Sequence, residues 1–114
     1  MKVRSGKNKG RRLQNLVRDC LRQMFVSLLH PDDIQSQTMG MPGEDIVLSP
    51  AAQAVIPYSF ECKNVERLDL WKSLEQAESN CQDRTPVLII KRNRSKIYAI
   101  VEFDHLQELI KPNE

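Results

Sequence analysis

The sequence has little of what would place a protein in a membrane or around a zinc ion. No apolar run in its 114 residues approaches the roughly 20 residues of a membrane-spanning helix, and the N-terminal residues lack the apolar stretch of a secretory signal. Cys20, Cys62 and Cys81 form no close pair, which gives no zinc motif and favours reduced thiols, with Cys20 and Cys62 at core positions. We therefore expect one domain that works in the cytoplasm without contacting a membrane.

Acidic residues are also missing from residues 1–12 and 84–96, although the net charge of the chain is only +2. Clustered cations favour phosphate binding because each contact releases condensed counterions. A solvated tail and a solvated turn are the alternative interpretation of the same two segments. The candidate DNA-binding residues in them are Lys7, Lys9, Arg11, Arg12, Arg92, Arg94 and Lys96.

The whole sequence is 40% apolar and 28% charged, as in a globular domain. Apolar spacing predicts a helix from about Gly10 to Leu29, preceded by a flexible basic arm over residues 1–9. A second long helix is expected over residues 69–80, capped by Asp69 and burying Trp71. Strands are expected at 34–39, 45–48, 58–63, 87–90 and 97–103, with a last helix, capped by Asp104, through Ile110.

Charged residues interrupt two of the predicted strands where a buried core would not favour them. Alternate side chains of a strand share a face, so Glu61 and Lys63 should project together, opposite Phe60 and Cys62. If the strand that begins at Asp45 lies alongside, two carboxylates and one ammonium meet at a sheet edge. This combination suits a divalent cation and phosphodiester cleavage. The alternative is an exposed Glu–Lys pair across strands with no functional role.

Taken in this order, Asp45, Glu61-Cys62-Lys63 and the two long helices resemble the PD-(D/E)xK nuclease superfamily. The similarity is closest to small phage and archaeal nucleases of the Holliday-junction-resolvase type, and it spans residues 9–110. The matching features are the basic stretch 9–18, Gly43-Glu44-Asp45, Glu61-Cys62-Lys63, Glu75-Gln76 and the basic stretch 91–95.

The resemblance implies an α/β (α+β) fold of the restriction-endonuclease type, with element order α-β-β-β-α-β-β-α and a mixed central sheet flanked by helices. It also implies that Asp45, Glu61 and the carbonyl of Cys62 bind Mg²⁺ or Mn²⁺. Lys63 would orient or deprotonate the attacking water, Gln76 would support the site, and cleavage would leave 5′ phosphates.

The sequence departs from that pattern in the first helix. Many resolvases carry a metal-binding glutamate there, whereas this chain has Gln14 and Asn15, neutral side chains that bind a hard cation weakly. The departure favours a single metal ion. Ser36 and Thr38 alternate on the first predicted strand and could contact a phosphate near the site, or they could be ordinary exposed strand residues.

These features predict a metal-dependent DNA endonuclease, phage-borne, that acts on branched DNA such as Holliday junctions. A homodimer is expected because resolving a junction takes two coordinated cuts, and a two-fold dimer supplies two sites. Two alternatives remain open. One is a non-catalytic DNA-binding module that keeps the nuclease fold, and the other is a phage accessory protein whose basic arm binds nucleic acid.

Overall fold

Ten elements follow one another in the computed structural model, which describes the backbone of residues 2–113 and the side chains of residues 6–113. The helices and strands of this part of the chain confirm the expected α+β class, but the predicted order α-β-β-β-α-β-β-α is wrong at one point, because an additional helix, Pro50–Val55, lies between the second and third strands. The helices are α1 (Lys2–Met24), α2 (Pro50–Val55), α3 (Leu70–Asn80) and α4 (Phe103–Ile110), and a 3-10 turn covers Pro31–Asp33. The strands are β1 (Ile34–Ser36), β2 (Ile46–Leu48), β3 (Tyr58–Asn64), β4 (Thr85–Lys91) and β5 (Tyr98–Ile100).

Helix α1 differs from the prediction at both ends. It begins at Lys2, so residues 2–9 continue the helix instead of forming an irregular arm, and it ends at Met24, not Leu29. Basic residues are good helix formers, which explains the early start. Leu13, Val17 and Leu21 recur at helical spacing and are all buried, so this stripe fixes α1 on the core.

The strands form two small sheets that lie edge to edge. Strands β1 and β2 pair antiparallel, with Ile34 opposite Leu48. Strand β3 pairs parallel with β4, and β4 pairs antiparallel with β5. A parallel pair requires a crossover connection, which α3 supplies between β3 and β4. The backbone N–H of Asp45 donates to the carbonyl of Phe60 at 3.1 Å, and this hydrogen bond joins the two sheets.

Helices α1 and α3 cover opposite faces of the larger sheet. The α1 face carries Cys62, Val87 and Ile89, which belong to the same buried cluster as Leu13 and Val17. The α3 face carries Glu61 and Lys63, paired in register with Leu88 and Ile90. The predicted division of β3, with Glu61 and Lys63 on one face and Cys62 on the other, is therefore confirmed.

Several local predictions are wrong. Trp71 is 75% exposed and Cys20 is exposed, because each lies at the margin of its helix's apolar stripe and turns away from the sheet. Strand β1 stops at Ser36, so Thr38 lies beyond it. The residue that caps α4 is Glu102 instead of Asp104, and it forms no side-chain capping bond among the described residues. Asp69 does cap α3, accepting from the N–H of Lys72 at 3.2 Å.

A buried ion pair fixes the approach to β2. The Arg84 guanidinium donates to the Glu44 carboxylate, and its other arm donates to the Tyr58 carbonyl at 3.0 Å. Both side chains are largely out of water. The pair joins the segment before Asp45 to the starts of β3 and β4, and it turns Glu44 away from Asp45.

We predict that Arg84→Met lowers the free energy of unfolding by about 3 kcal/mol, because it leaves the Glu44 carboxylate buried without a counter-charge. Adding Glu44→Leu should restore most of that loss, since the uncompensated charge is then gone. Urea denaturation measures both effects. Arg67→Met, at an exposed position, is the control and should change stability by less than about 0.5 kcal/mol. Equal losses in the single and double variants would contradict this account.

Candidate active site

Four elements bring polar side chains to one cleft at the junction of the two sheets. Asp45 enters β2, Glu61 and Lys63 stand on β3, Gln14 comes from α1, and Gln76 comes from α3. The cleft has a volume of about 420 Å³, and the loop 39–42 forms one of its walls. The predicted convergence of Asp45, Glu61 and Lys63 is therefore present in the structure, in a space open to a ligand.

Asp45 is fixed through both its backbone and its side chain. One carboxylate oxygen, Oδ2, accepts from the N–H of Cys62 at 2.7 Å. The amide of Gln14 donates to the Asp45 carbonyl at 2.6 Å. Burial raises the pKa of Asp45, and the Cys62 hydrogen bond and the charge of Lys63 oppose that shift. The carboxylate is thus held in one orientation towards β3.

Glu61 lies on the α3 face of β3 and is only 3% exposed. Burial, followed by the charge of Asp45, raises the pKa of Glu61 to about 7. Lys63 opposes this shift, and its Nζ lies 3.9 Å from Glu61 Oε2. The other oxygen, Oε1, is buried and has no hydrogen-bond partner among the described residues. A buried carboxylate oxygen in this state has a free acceptor site for a cation or a proton.

The carbonyl of Cys62 points to the same edge of β3 as Asp45. The Cys62 N–H donates to Asp45, and in an extended strand the N–H and C=O of one residue point to the same edge. The hydrogen bond from Asp45 to the Phe60 carbonyl follows the same alternation. Backbone geometry thus turns the Cys62 carbonyl to the edge of β3 that Asp45 occupies, and Asp45, Glu61 and Cys62 all line the same cleft.

The fit of a divalent cation rests on these oxygens. No group of three or more His, Cys, Asp or Glu side chains converges anywhere in the described part of the chain. Two carboxylates and a carbonyl are nevertheless the hard oxygen donors that Mg²⁺ and Mn²⁺ accept, with water completing the coordination. The unpartnered Glu61 Oε1 is consistent with such an ion.

Of the other predicted site residues, Gln76 lies at the cleft, whereas Ser36 and Thr38 do not line it. Gln76 is exposed on α3 and lines the cleft. Asn15 faces β1, where its Oδ1 accepts from the Ser36 hydroxyl at 2.7 Å, so Ser36 is engaged with α1. Thr38 is exposed and beyond the strand. Ser36 and Thr38 therefore do not form the alternating pair on one strand that the sequence suggested.

Sequence reasoning missed Asn80. Its side chain lowers the pKa of Glu61, against the effect of burial, and its Nδ2 donates to the Gly43 carbonyl at 3.3 Å. Asn80 follows Gln76 by four residues, which puts both on one face of α3. The four-residue spacing from Gln76 was the sequence signal that could have identified Asn80.

The two basic segments meet near the cleft. One carboxylate oxygen of Glu66 accepts from Lys9 Nζ at 3.1 Å and from the backbone N–H of Asn93 at 2.7 Å. Glu66 thus ties α1 to the turn between β4 and β5. Among the predicted DNA-binding cations, the exposed ones are Lys7, Arg11, Arg12, Arg92, Arg94 and Lys96. Lys9 itself is mostly covered.

No family model, curated protein or solved structure matches this chain. Among the described residues, no helix is both long and apolar enough to cross a bilayer.

We predict that Glu61→Gln stabilises the metal-free protein at high pH. The folded pKa of Glu61, about 7, lies above its ordinary value, so the native state binds this proton more tightly than the unfolded state does. The resulting stability is present at low pH and is lost as the pH rises through 7. The stability of Glu61→Gln relative to wild type should therefore increase by roughly 2–3 kcal/mol between about pH 5 and pH 8.

Denaturant unfolding in the presence of a chelator at both pH values measures this difference. Glu75→Gln, at an exposed position on α3, is the matched control and should follow wild type. A wild-type-like pH dependence in Glu61→Gln would show that Glu61 does not carry a raised pKa.

Proposed function

We propose that this protein is a metal-dependent DNA endonuclease of the PD-(D/E)xK type. The observation that carries the proposal is the meeting of the buried Glu61 carboxylate, the half-buried Asp45 carboxylate and the Lys63 ammonium in one open cleft. Lys63 Nζ lies 3.9 Å from Glu61 Oε2, but Glu61 Oε1 has no hydrogen-bond partner among the described residues. Two carboxyl groups whose pKa values are raised by burial, with one oxygen left unpartnered, suit a cation-binding site.

Asp45, Glu61 and the Cys62 carbonyl would hold Mg²⁺ or Mn²⁺. When bound, such an ion activates water and neutralises charge on a phosphodiester. The Cys62 N–H keeps the Asp45 carboxylate oriented. Lys63, about a third exposed, can reach a phosphate oxygen or the attacking water while it offsets the charge of Glu61. Gln76 would position the water or the backbone from the α3 side.

DNA is the substrate that the surrounding charge favours. Gly10 lines the cleft, and it follows Lys9, which Glu66 joins to the turn of residues 92–96. A strand whose phosphate sits in the cleft would therefore have cations on the neighbouring surface for its flanking phosphates. Branched DNA such as a Holliday junction is the specific proposal, with a homodimer cutting two strands and leaving 5′ phosphates. In this proposal the protein is a phage enzyme that cuts branched DNA in the cytoplasm.

The runner-up is a DNA-binding module that keeps the site but does not cut. One contact favours this alternative. The Gln14 amide donates a hydrogen bond to the Asp45 carbonyl, and Gln14 lies in the region of the first helix where many resolvases of the similar family carry a glutamate. An amide used in this way adds no negative ligand and supports at most one ion. A phage accessory protein that binds nucleic acid through α1 would share the basic surface but have no need of the cleft.

We expect the purified protein to cut a fluorescent four-way junction when Mg²⁺ or Mn²⁺ is present and not in excess chelator. Asp45→Asn should reduce the cleavage rate at least about 100-fold because it removes a metal ligand, and Lys63→Ala should also abolish rapid cutting. Both variants should still bind the junction. Single-turnover cleavage and a gel-shift titration measure the two properties.

Asp83→Asn removes an exposed carboxylate outside the cleft, and this control should cut like wild type. Metal-independent cutting, or cutting that survives both site substitutions, would reject the mechanism. Metal-independent binding without any cutting, on branched and linear DNA alike, would select the non-catalytic module.

We also expect Arg92→Ala with Arg94→Ala to weaken DNA binding for all sequences. The slope of log affinity against log salt should become about 2 smaller in magnitude, since each lost phosphate contact removes about 1. Lys111→Ala, which removes an exposed cation just after the C-terminal end of α4, is the matched control. Unchanged affinity and slope in the double variant would remove the turn from the DNA-binding surface.

A further inference from the structure

A second pocket lies beside the cleft, on the same face of the larger sheet. Its volume is about 320 Å³, and its lining includes the apolar side chains of Val65, Leu68, Ile90 and Tyr98. Lys63 of β3 pairs in register with Ile90 of β4, and Ile90 pairs in register with Tyr98 of β5. Because residues paired in register share a face of the sheet, this row of side chains runs from the lysine of the cleft into the pocket.

The length of this row corresponds to a few nucleotides of a DNA strand. With neighbouring strands about 4.8 Å apart, the Cα atoms of Lys63 and Tyr98 are separated by roughly 10 Å. Successive nucleotides of a stacked strand rise about 3.4 Å each. A strand whose phosphate lies beside Lys63 could therefore place a base over Tyr98 within about three nucleotides of that phosphate.

Charge distinguishes Tyr98 from the other exposed aromatic side chains. Tyr98 is 56% exposed, and its pocket also includes Arg92. Trp71 and Phe103 are more exposed, but they line a different groove, beside α3, whose border carries the carboxylates of Glu75, Glu78 and Glu102. Acids there would repel a phosphate backbone. Tyr98 is thus the exposed ring that a nucleic acid strand could approach.

The basic side of the pocket is formed before any ligand binds. Lys91 and Arg92 line it, and the Arg92 N–H donates to the Ser95 hydroxyl at 3.0 Å. The Ser95 N–H in turn donates to the Arg92 carbonyl at 3.1 Å. Glu66 is the acid of the lining, and its Oε2 is already engaged by two N–H donors, one of them cationic. A preformed site loses less entropy on binding, and a cationic edge beside an open aromatic ring is the combination that binds single-stranded nucleic acid.

We propose that this pocket binds an unpaired nucleobase, stacked on the ring of Tyr98, from the strand whose phosphate lies in the cleft. The inference rests on the proposed nuclease site for the position of that phosphate, and it narrows the substrate. Extracting a paired base from a duplex is costly. DNA that has unpaired nucleotides beside the cut, as at a flap, a gap or an opened branch point, would fill the pocket without that cost.

Binding in excess chelator tests this proposal without any requirement for cutting. Fluorescence anisotropy would compare a single strand of about 12 nucleotides, within the range of known site sizes, with a duplex of the same length and with a strand of abasic residues. Tyr98→Val removes the ring but keeps a side chain that suits a strand. It should weaken binding of the single strand roughly 5- to 150-fold, the range for stacking of a base on an aromatic ring. Affinity for the duplex and for the abasic strand should not change.

Two further variants and a salt titration separate stacking from other effects. Tyr98→Phe keeps the ring and should bind like wild type. Tyr98→Val should keep the wild-type slope of log affinity against log salt, because it removes no phosphate contact. Trp71→Val, which removes a 75% exposed ring from the acidic groove, is the matched control and should leave every affinity unchanged. Tyr98 is exposed on an edge strand, so the variants should share one circular dichroism spectrum.

Wild-type affinity of Tyr98→Val for the single strand would overturn the proposal, and so would an equal loss on the duplex or on the abasic strand. The expected loss in a protein that never cuts DNA would reject the nuclease and keep the base-binding pocket. Metal-dependent cutting without any effect of Tyr98→Val on single-strand binding would do the reverse.

Discussion

The hydrogen bond from the Cys62 N–H to the Asp45 carboxylate is the contact on which the site depends. This bond, 2.7 Å long, joins the residue just before β2 to strand β3. It fixes the direction in which the Asp45 carboxylate points. Without it, only backbone contacts, such as the hydrogen bond from the Asp45 N–H to the Phe60 carbonyl, would relate Asp45 to Cys62, and the carboxylate itself would not be oriented. The cost of this arrangement is electrostatic, because burial raises the pKa of both carboxyl groups and the charge of Asp45 raises the pKa of Glu61 further.

This electrostatic cost explains the role of the side chains that surround Glu61. Lys63 and the side chain of Asn80 both favour the charged form of Glu61, but they do not offset its burial. A divalent cation would complete the compensation, since it stabilises both carboxylates at once. The same electrostatic tension would be hard to explain in a domain that used Glu61 and Lys63 only as a surface pair.

The molecule also separates its charges by face. Glu66 joins the basic turn of residues 92–96 to α1 beside the cleft, whereas the uncovered apolar region beside α3 is bordered by acids. The acidic border would repel nucleic acid, so the charge distribution leaves the basic turn and the cleft as the side that a phosphate backbone could approach.

The sequence by itself determined the order and type of most elements and the pairing of Glu61 with Lys63 on one strand face. Alternation along a strand and apolar spacing along a helix are local properties, so they can be read directly from residue order. Tertiary structure alone decided the rest. Asp45 meets Glu61 because two strands lie edge to edge, Glu66 joins segments more than 50 residues apart in the chain, and Trp71 and Cys20 are exposed because α3 and α1 cover only part of the sheet. Each of these outcomes depends on how separate elements are positioned, which local spacing does not specify.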